Sequence, residues 1–122
     1  RTALRNISVT NTGGSIYSTG IWATNILAGA LVLTDLKVTA SGGSGQYGIW
    51  NTNASPTMRN LTVSASGDGT SSTESFGIVD DAVSNPRMDA IDVTASGALT
   101  ANGIRVTGGS SPFITNTNST AN

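Results

Sequence analysis

The stretch Met58-Arg59-Asn60-Leu61-Thr62-Val63-Ser64 decides the fold, because versions of it occur four times. Leu4-Arg5-Asn6-Ile7-Ser8-Val9-Thr10 and Leu33-Thr34-Asp35-Leu36-Lys37-Val38-Thr39 precede it, and Met88-Asp89-Ala90-Ile91-Asp92-Val93-Thr94 follows it. In each, apolar and polar residues alternate toward the end, as in Leu61-Thr62-Val63-Ser64. A period of two over a short span rich in β-branched residues reads as a strand with one buried face. Glycine is frequent and no long amphipathic stretch occurs, so helix is disfavoured.

Working outward, two further landmarks keep step with the heptads. One is Gly20-Ile21-Trp22, Gly48-Ile49-Trp50, Gly77-Ile78-Val79 and Gly103-Ile104-Arg105. The other is a proline two residues before the next lead residue, in Ser55-Pro56-Thr57-Met58 and Asn85-Pro86-Arg87-Met88; Ser111-Pro112-Phe113-Ile114 opens a fifth unit. The repeats therefore run 4–32, 33–57, 58–87 and 88–113, with a partial one from 114. Self-similarity at such a period marks a stacked architecture, in which one unit cannot bury its apolar side and several together can. The chain is thus predicted to be a single all-β segment over 1–122, a right-handed parallel β-helix of about four coils of 25–30 residues. Three landmarks suggest three short strands per coil: one after the lead residue, one at the Gly-Ile step and one containing the proline region.

The alternation predicts which residues face inward. Ile7, Leu36, Leu61 and Ile91 form one ladder, and Val9, Val38, Val63 and Val93 the next. Ile21, Ile49, Ile78 and Ile104 form a third on another sheet, and Asn11, Ala40, Ala65 and Ala95 supply a small residue where the chain turns. The third repeat carries extra residues in Gly67 to Ser75, which are expected to protrude as a surface loop that tolerates deletion.

Composition limits the function classes. Gly, Ser, Thr and Asn abound and only 11% of residues are charged, as in a flexible linker, but a linker has no reason to keep Ile, Val, Leu and Met in register. Net charge is −1 without a basic run, so no nucleic-acid footprint is present. No stretch approaches the length of a membrane span. Cysteine and histidine are both absent, which removes disulfides, thiolate metal sites and the commonest general base. No cofactor is implied. The four Asn-x-Ser/Thr sequences, at Asn6, Asn53, Asn60 and Asn118, are close to the number this composition yields by chance and are no evidence of a eukaryotic secreted protein.

The motifs Val38-Thr39-Ala40-Ser41-Gly42-Gly43, Tyr47-Gly48-Ile49 and Ser55-Pro56-Thr57-Met58 resemble those of the pectate-lyase-like right-handed β-helix superfamily. More narrowly, they resemble bacterial β-helix repeat proteins of uncharacterised role. The resemblance covers nearly the whole chain and implies the fold, while the superfamily holds lyases, hydrolases, adhesins and phage tail proteins. It implies two kinds of chemistry to look for. Hydrolases of the superfamily use paired aspartates on one face, and its lyases a calcium–carboxylate site with an arginine. Asp80-Asp81 is the only adjacent acidic pair, and Arg87 and Arg105 are near in sequence. The Gly-His-Gly element of the hydrolases is missing, and neighbouring strand residues point to opposite faces. Asp80 and Asp81 are weak calcium candidates and, more simply, turn charges that keep a sheet edge soluble. No catalytic residue is assigned.

Trp22 and Trp50 both follow the Gly-Ile step and are expected to point outward, one above the other, with Val79 and Arg105 continuing the ladder. Such a row suits a protein interface or a glycan, or simply covers its own turn. The stripe Thr10, Thr39, Ser64 and Thr94 raises ice binding as a minor alternative, weakened by its charged neighbour stripe Ser8, Lys37, Thr62 and Asp92. The expectation is a non-catalytic structural or adhesive solenoid, extracellular or on a cell or virion surface, with a carbohydrate-active enzyme on the same scaffold as the alternative. Neither end carries an evident cap, so continuation in a longer chain, or end-to-end or lateral self-association, is expected.

Overall fold

A computed structural model describes residues 1–122. All regular structure is β: β1 (Thr2–Arg5), β2 (Ser8–Asn11), β3 (Tyr17–Ile26), β4 (Leu31–Ser41), β5 (Gly45–Ala54), β6 (Thr57–Ser66), β7 (Glu74–Asp81), β8 (Arg87–Ser96), β9 (Thr100–Val106), β10 (Phe113–Thr115) and β11 (Asn118–Ala121). Every pairing is parallel. The first sheet runs β1-β4-β6-β8-β10, with β2 and β11 also pairing with β4 and β8; the second runs β3-β5-β7-β9. The chain alternates between them and forms a parallel β-solenoid of about four turns. No helix is long and apolar enough to cross a membrane.

The register is that of the repeats. Leu36 pairs with Leu61 and Leu61 with Ile91; Val38, Val63 and Val93 follow two residues on. Leu33, Met58 and Met88 form a further inward ladder. Together with Ile49 and Ile78 these eleven side chains make one continuous core. Ala40, Ala65 and Ala95 are fully buried where the first sheet ends, a corner with no room for more than a methyl group. The ladders fade at their ends: Ile7 is 39% exposed, and Ile21 and Ile104 are only partly buried. An end coil has a neighbour on one side only.

The three strands per coil need a correction. The first coil does have three, β1, β2 and β3, but the inner coils have two continuous ones, as in β4 and β5. The lead residue and the alternating stretch lie on a single strand that bends at a left-handed residue. Asn6, Asp35, Asn60, Ala90 and Asn116 hold φ of 53°, 55°, 51°, 53° and 46°. Asparagine and aspartate tolerate this region because their side chains hydrogen-bond locally. Pairing resumes on both sides of the bend, so the ladder survives it. The prolines lie in no strand. Pro56, Pro86 and Pro112 each stand just before β6, β8 or β10, where a missing N–H costs nothing. Their carbonyls still serve the stack, with Pro56 O accepting from Arg87 N at 3.0 Å and Pro86 O from Phe113 N at 2.9 Å.

The Gly-Ile step has a steric cause. A Cβ on Gly48 would stand 2.3 Å from Val63 Cγ1 and 2.5 Å from Gly77 O. One on Gly77 would stand 2.2 Å from Val93 Cγ2. Glycine and the isoleucine after it both face inward, and only a bare backbone lets the second sheet approach the valine ladder this closely.

The loop from Gly67 to Ser75 is less free than its composition suggests. Asp68 to Ser71 are exposed, but Ser72 is buried, and its hydroxyl donates to Gly43 O (3.3 Å) and accepts from Gln46 Nε2 (3.3 Å). Glu74 and Ser75 already belong to β7.

Candidate functional site

Two consecutive inward residues, glycine and isoleucine, break the in–out alternation of the second sheet. The residues flanking that pair therefore both face outward and come close. Tyr47 and Trp50 stack with ring centroids 4.8 Å apart and planes 22° from parallel. Phe76 and Val79 occupy the same two positions one rung on, and Asn102 and Arg105 the next.

The expected row Trp22, Trp50, Val79 and Arg105 is in register. The two indoles stack at 5.9 Å and 24°. Trp22 Nε1 donates to Thr52 Oγ1 at 3.4 Å, which fixes its ring although 65% of the residue is exposed. The row extends beyond these four residues. Tyr47, Phe76 and Val79 form a small apolar cluster on the outside of the sheet, with Trp50 packed against it. Tyr17 meets Tyr47 edge-on at 5.7 Å, over Gly45, where a side chain would collide with both rings. The Arg105 guanidinium lies 4.8 Å above the Phe76 ring, a cation–π contact. The Tyr47 hydroxyl donates to Glu74 Oε1; burial, then that bond, hold the phenol protonated well above its usual range. The residue before each Gly-Ile step was the signal: Thr19, Tyr47, Phe76 and Asn102 form a column as regular as the tryptophans.

This patch is closely stacked and partly open. Phe76 and Tyr47 are buried, whereas Trp22 and Tyr17 are exposed on the rung that has no neighbour below it. The stacked rings spend most of their faces on one another, so the free aromatic surface is concentrated at Trp22 and Tyr17. What the patch can do is make contact. It holds no nucleophile, no pair of carboxyls and no cluster suited to a metal.

The acidic candidates do not gather. Asp80 lies inside the solenoid with 0% of its surface exposed, and Asn51 Nδ2 donates to its Oδ1 at 2.9 Å. Asp81 faces the other way, accepting on Oδ1 from Ala82 N (2.8 Å) and Thr107 Oγ1 (2.9 Å). The two carboxyls thus lie on opposite faces, as alternation along a strand requires, and share no position from which to ligate calcium. No group of three or more His, Cys, Asp or Glu residues converges anywhere. Asp89 is on the other sheet, accepting on Oδ1 from Asn116 Nδ2 (2.8 Å) and Thr115 Oγ1 (2.9 Å). These bonds, Asn116 first, lower its pKa below the ordinary aspartate value. Asp80, Asp89 and Arg105 therefore line no common groove. Arg87 lies elsewhere again, its guanidinium 4.9 Å above the Phe113 ring.

The threonine stripe is in register, with Thr10, Thr39, Ser64 and Thr94 one above another. Lys37 and Asp92 stand in the adjacent exposed stripe, which is therefore charged rather than uniformly hydroxylated. No protein-family model, curated protein or solved structure matches the chain.

Proposed function

We propose that this chain is a non-catalytic structural or adhesive β-solenoid, working outside the cell or on a cell or virion surface, in the manner of the pectate-lyase-like bacterial repeat proteins its motifs resemble. The observation that carries the reading is Trp22, a large apolar side chain that is 65% exposed yet held in place by stacking on Trp50 and by its bond to Thr52. A fixed aromatic surface gives contact area at little entropic cost, which is what a binding face needs. The scattering of Asp80, Asp89 and Arg105 leaves the enzymatic alternative without an assembled site.

The contact is proposed to be lateral, through Tyr17, Trp22 and Trp50, with a second, axial contact at the open ladders. Ile7 at one end and Ile114 at the other, 39% and 41% exposed, are positioned to be covered by a further coil of the same or another chain. Sedimentation velocity across a concentration series tests this. Association is expected, weakened by Trp22→Ala through the lateral contact and by Ile7→Lys through the axial one, with the fold retained in both. A chain that stays monomeric at every concentration, and that binds no surface polysaccharide, overturns the reading.

A further inference from the structure

The solenoid interior contains one ionisable side chain with no charged partner. Asp80 sits in the third coil at the position occupied by Ala23, Asn51 and Val106 in the others. It is fully enclosed, and its one side-chain hydrogen bond comes from Asn51 Nδ2 to Oδ1. With Asp80 ionised, two buried oxygens in this pair have no donor: Asp80 Oδ2 and Asn51 Oδ1. An orphaned buried acceptor is rare and costly. Here both orphans belong to residues already joined by a bond, and a single proton would satisfy both, since a carboxylic acid is a donor as well as an acceptor.

We propose that Asp80 and Asn51 form a pH-responsive lock between adjacent coils. Protonated, Asp80 donates through Oδ2–H to Asn51 Oδ1 while Asn51 Nδ2 continues to donate to Asp80 Oδ1, closing an eight-membered ring of two hydrogen bonds. Ionised, the carboxylate loses one of these bonds and leaves a charge in the apolar interior.

The surroundings favour the protonated form. The charged and titratable groups on the strands packed around Asp80 are Tyr47 on β5, Arg59 on β6, Glu74 and Asp81 on β7, Arg87, Asp89 and Asp92 on β8, and Arg105 on β9. Burial dominates its titration, pushing the pKa up to about 6 against the smaller opposing effect of the Asn51 bond. The sign follows from linkage. A carboxyl that holds its proton more tightly when folded contributes stability that is complete below the ordinary value near 3.8 and is lost as pH rises through about 6. Asp68 and Asp89, whose pKa values are lowered, act in the opposite direction and only at more acidic pH. The interval between about pH 4 and 7 therefore reports on Asp80. Across it the solenoid should lose heat stability as the solution becomes less acidic.

The test compares the chain with Asp80→Asn, which places a permanent amide donor where the acid proton would be and can close the same ring with Asn51. Between pH 4 and 7 the melting temperature of the natural chain should fall by on the order of 5–10 °C, while that of Asp80→Asn stays level and is the higher of the two at pH 7. In parallel, the Asp80 carboxyl carbon resonance should titrate well above an ordinary aspartate, and Asn51→Ala should shift its midpoint. Parallel melting curves for the two proteins, or a carboxyl that titrates near 4, would overturn the proposal. So would a melting temperature at pH 7 that rises with sodium or potassium at fixed ionic strength, because a cation would then satisfy the two oxygens. If Asp80→Asn does not fold, the carboxyl titration of the natural chain decides alone.

Discussion

The two sheets of this solenoid treat their repeats differently. On the first sheet, equivalent inward positions hold nearly the same residue in each inner coil: Leu33, Met58 and Met88; Leu36, Leu61 and Ile91; Val38, Val63 and Val93; Ala40, Ala65 and Ala95. On the second sheet only the Gly-Ile step is kept. Around it stand the column Ala23, Asn51 and Asp80 on the inside, continued by Val106 on the open end rung, and Thr19, Tyr47, Phe76 and Asn102 on the outside. The first sheet has one task, to stack, and stacking wants like upon like. The second carries what departs from the repeat: the aromatic patch and the buried acid. In a stacked fold, specific behaviour is to be sought where the column changes composition.

The comparison breaks if the uniform columns are not the main source of stability. Leu61 is in the middle of its ladder and almost fully buried, so Leu61→Ala is expected to cost roughly 2–5 kcal/mol in urea unfolding. Ile7 is the same kind of residue in the same column but is partly open to water, so Ile7→Ala should cost clearly less, about 1 kcal/mol. Equal losses at the two positions would mean that the column does not act as a stack of mutually covering layers.

A second test concerns how closely the sheets approach. Gly48→Ala adds a methyl group 2.3 Å from Val63 Cγ1 and 2.5 Å from the backbone oxygen of Gly77. The valine can adjust and the backbone cannot easily do so, which makes this overpacking of about 1–3 kcal/mol. Gly69→Ala, at a position where a Cβ would meet nothing, suffers only the cost of its left-handed φ of 78°. Gly48 has no positive φ, so its loss in urea midpoint is one of packing, whereas that of Gly69→Ala is one of backbone strain, and Gly48→Ala is expected to lose more. If Gly48→Ala is the better tolerated, the sheet separation is not what selects glycine.

How far the sequence could be read follows the same division. The heptads and the Gly-Ile step announce the stack, its period and the inward ladders, because identical columns leave identical letters. The outward pairing of Tyr47 with Trp50 is hidden, since it depends on two successive inward residues interrupting an alternation that a pattern reading continues. The left-handed bend is hidden as well, because its asparagines look like ordinary polar positions in a strand. Three of the four Asn-x-Ser/Thr sequences start at such residues: Asn6 and Asn60 at one corner and Asn53, with φ 49°, at another. The corner supplies the asparagine and the outward-facing strand or turn after it supplies the hydroxyl. Asp80 was within reach, since counting in twos from Ile78 places it inside and the same count from Ile49 places Asn51 beside it. The adjacent Asp81 gives the pair the pattern of a surface turn.

The smallest expected effect concerns that bend. Four of the five residues at the corner are Asn or Asp, and the fifth is Ala90 at φ 53°. An alanine there bears the clash between its Cβ and its own backbone, a cost of roughly 1 kcal/mol, without the local hydrogen bonds an amide can make. Across the neighbouring rungs the corner side chains interact directly: Asn60 Nδ2 donates to Asp35 Oδ1 at 2.5 Å. Ala90→Asn should therefore stabilise the chain by about 0.5–1 kcal/mol, through the backbone preference and through an amide that can join Asn60 in the column. Ala90→Gly relieves the same clash but gives up backbone entropy in the unfolded chain, so it should gain less. Urea unfolding of the three proteins resolves the order Asn above Gly above Ala. If alanine proves the most stable, the corner is shaped by the strands on either side of it, and the asparagine column follows from the bend without strengthening it.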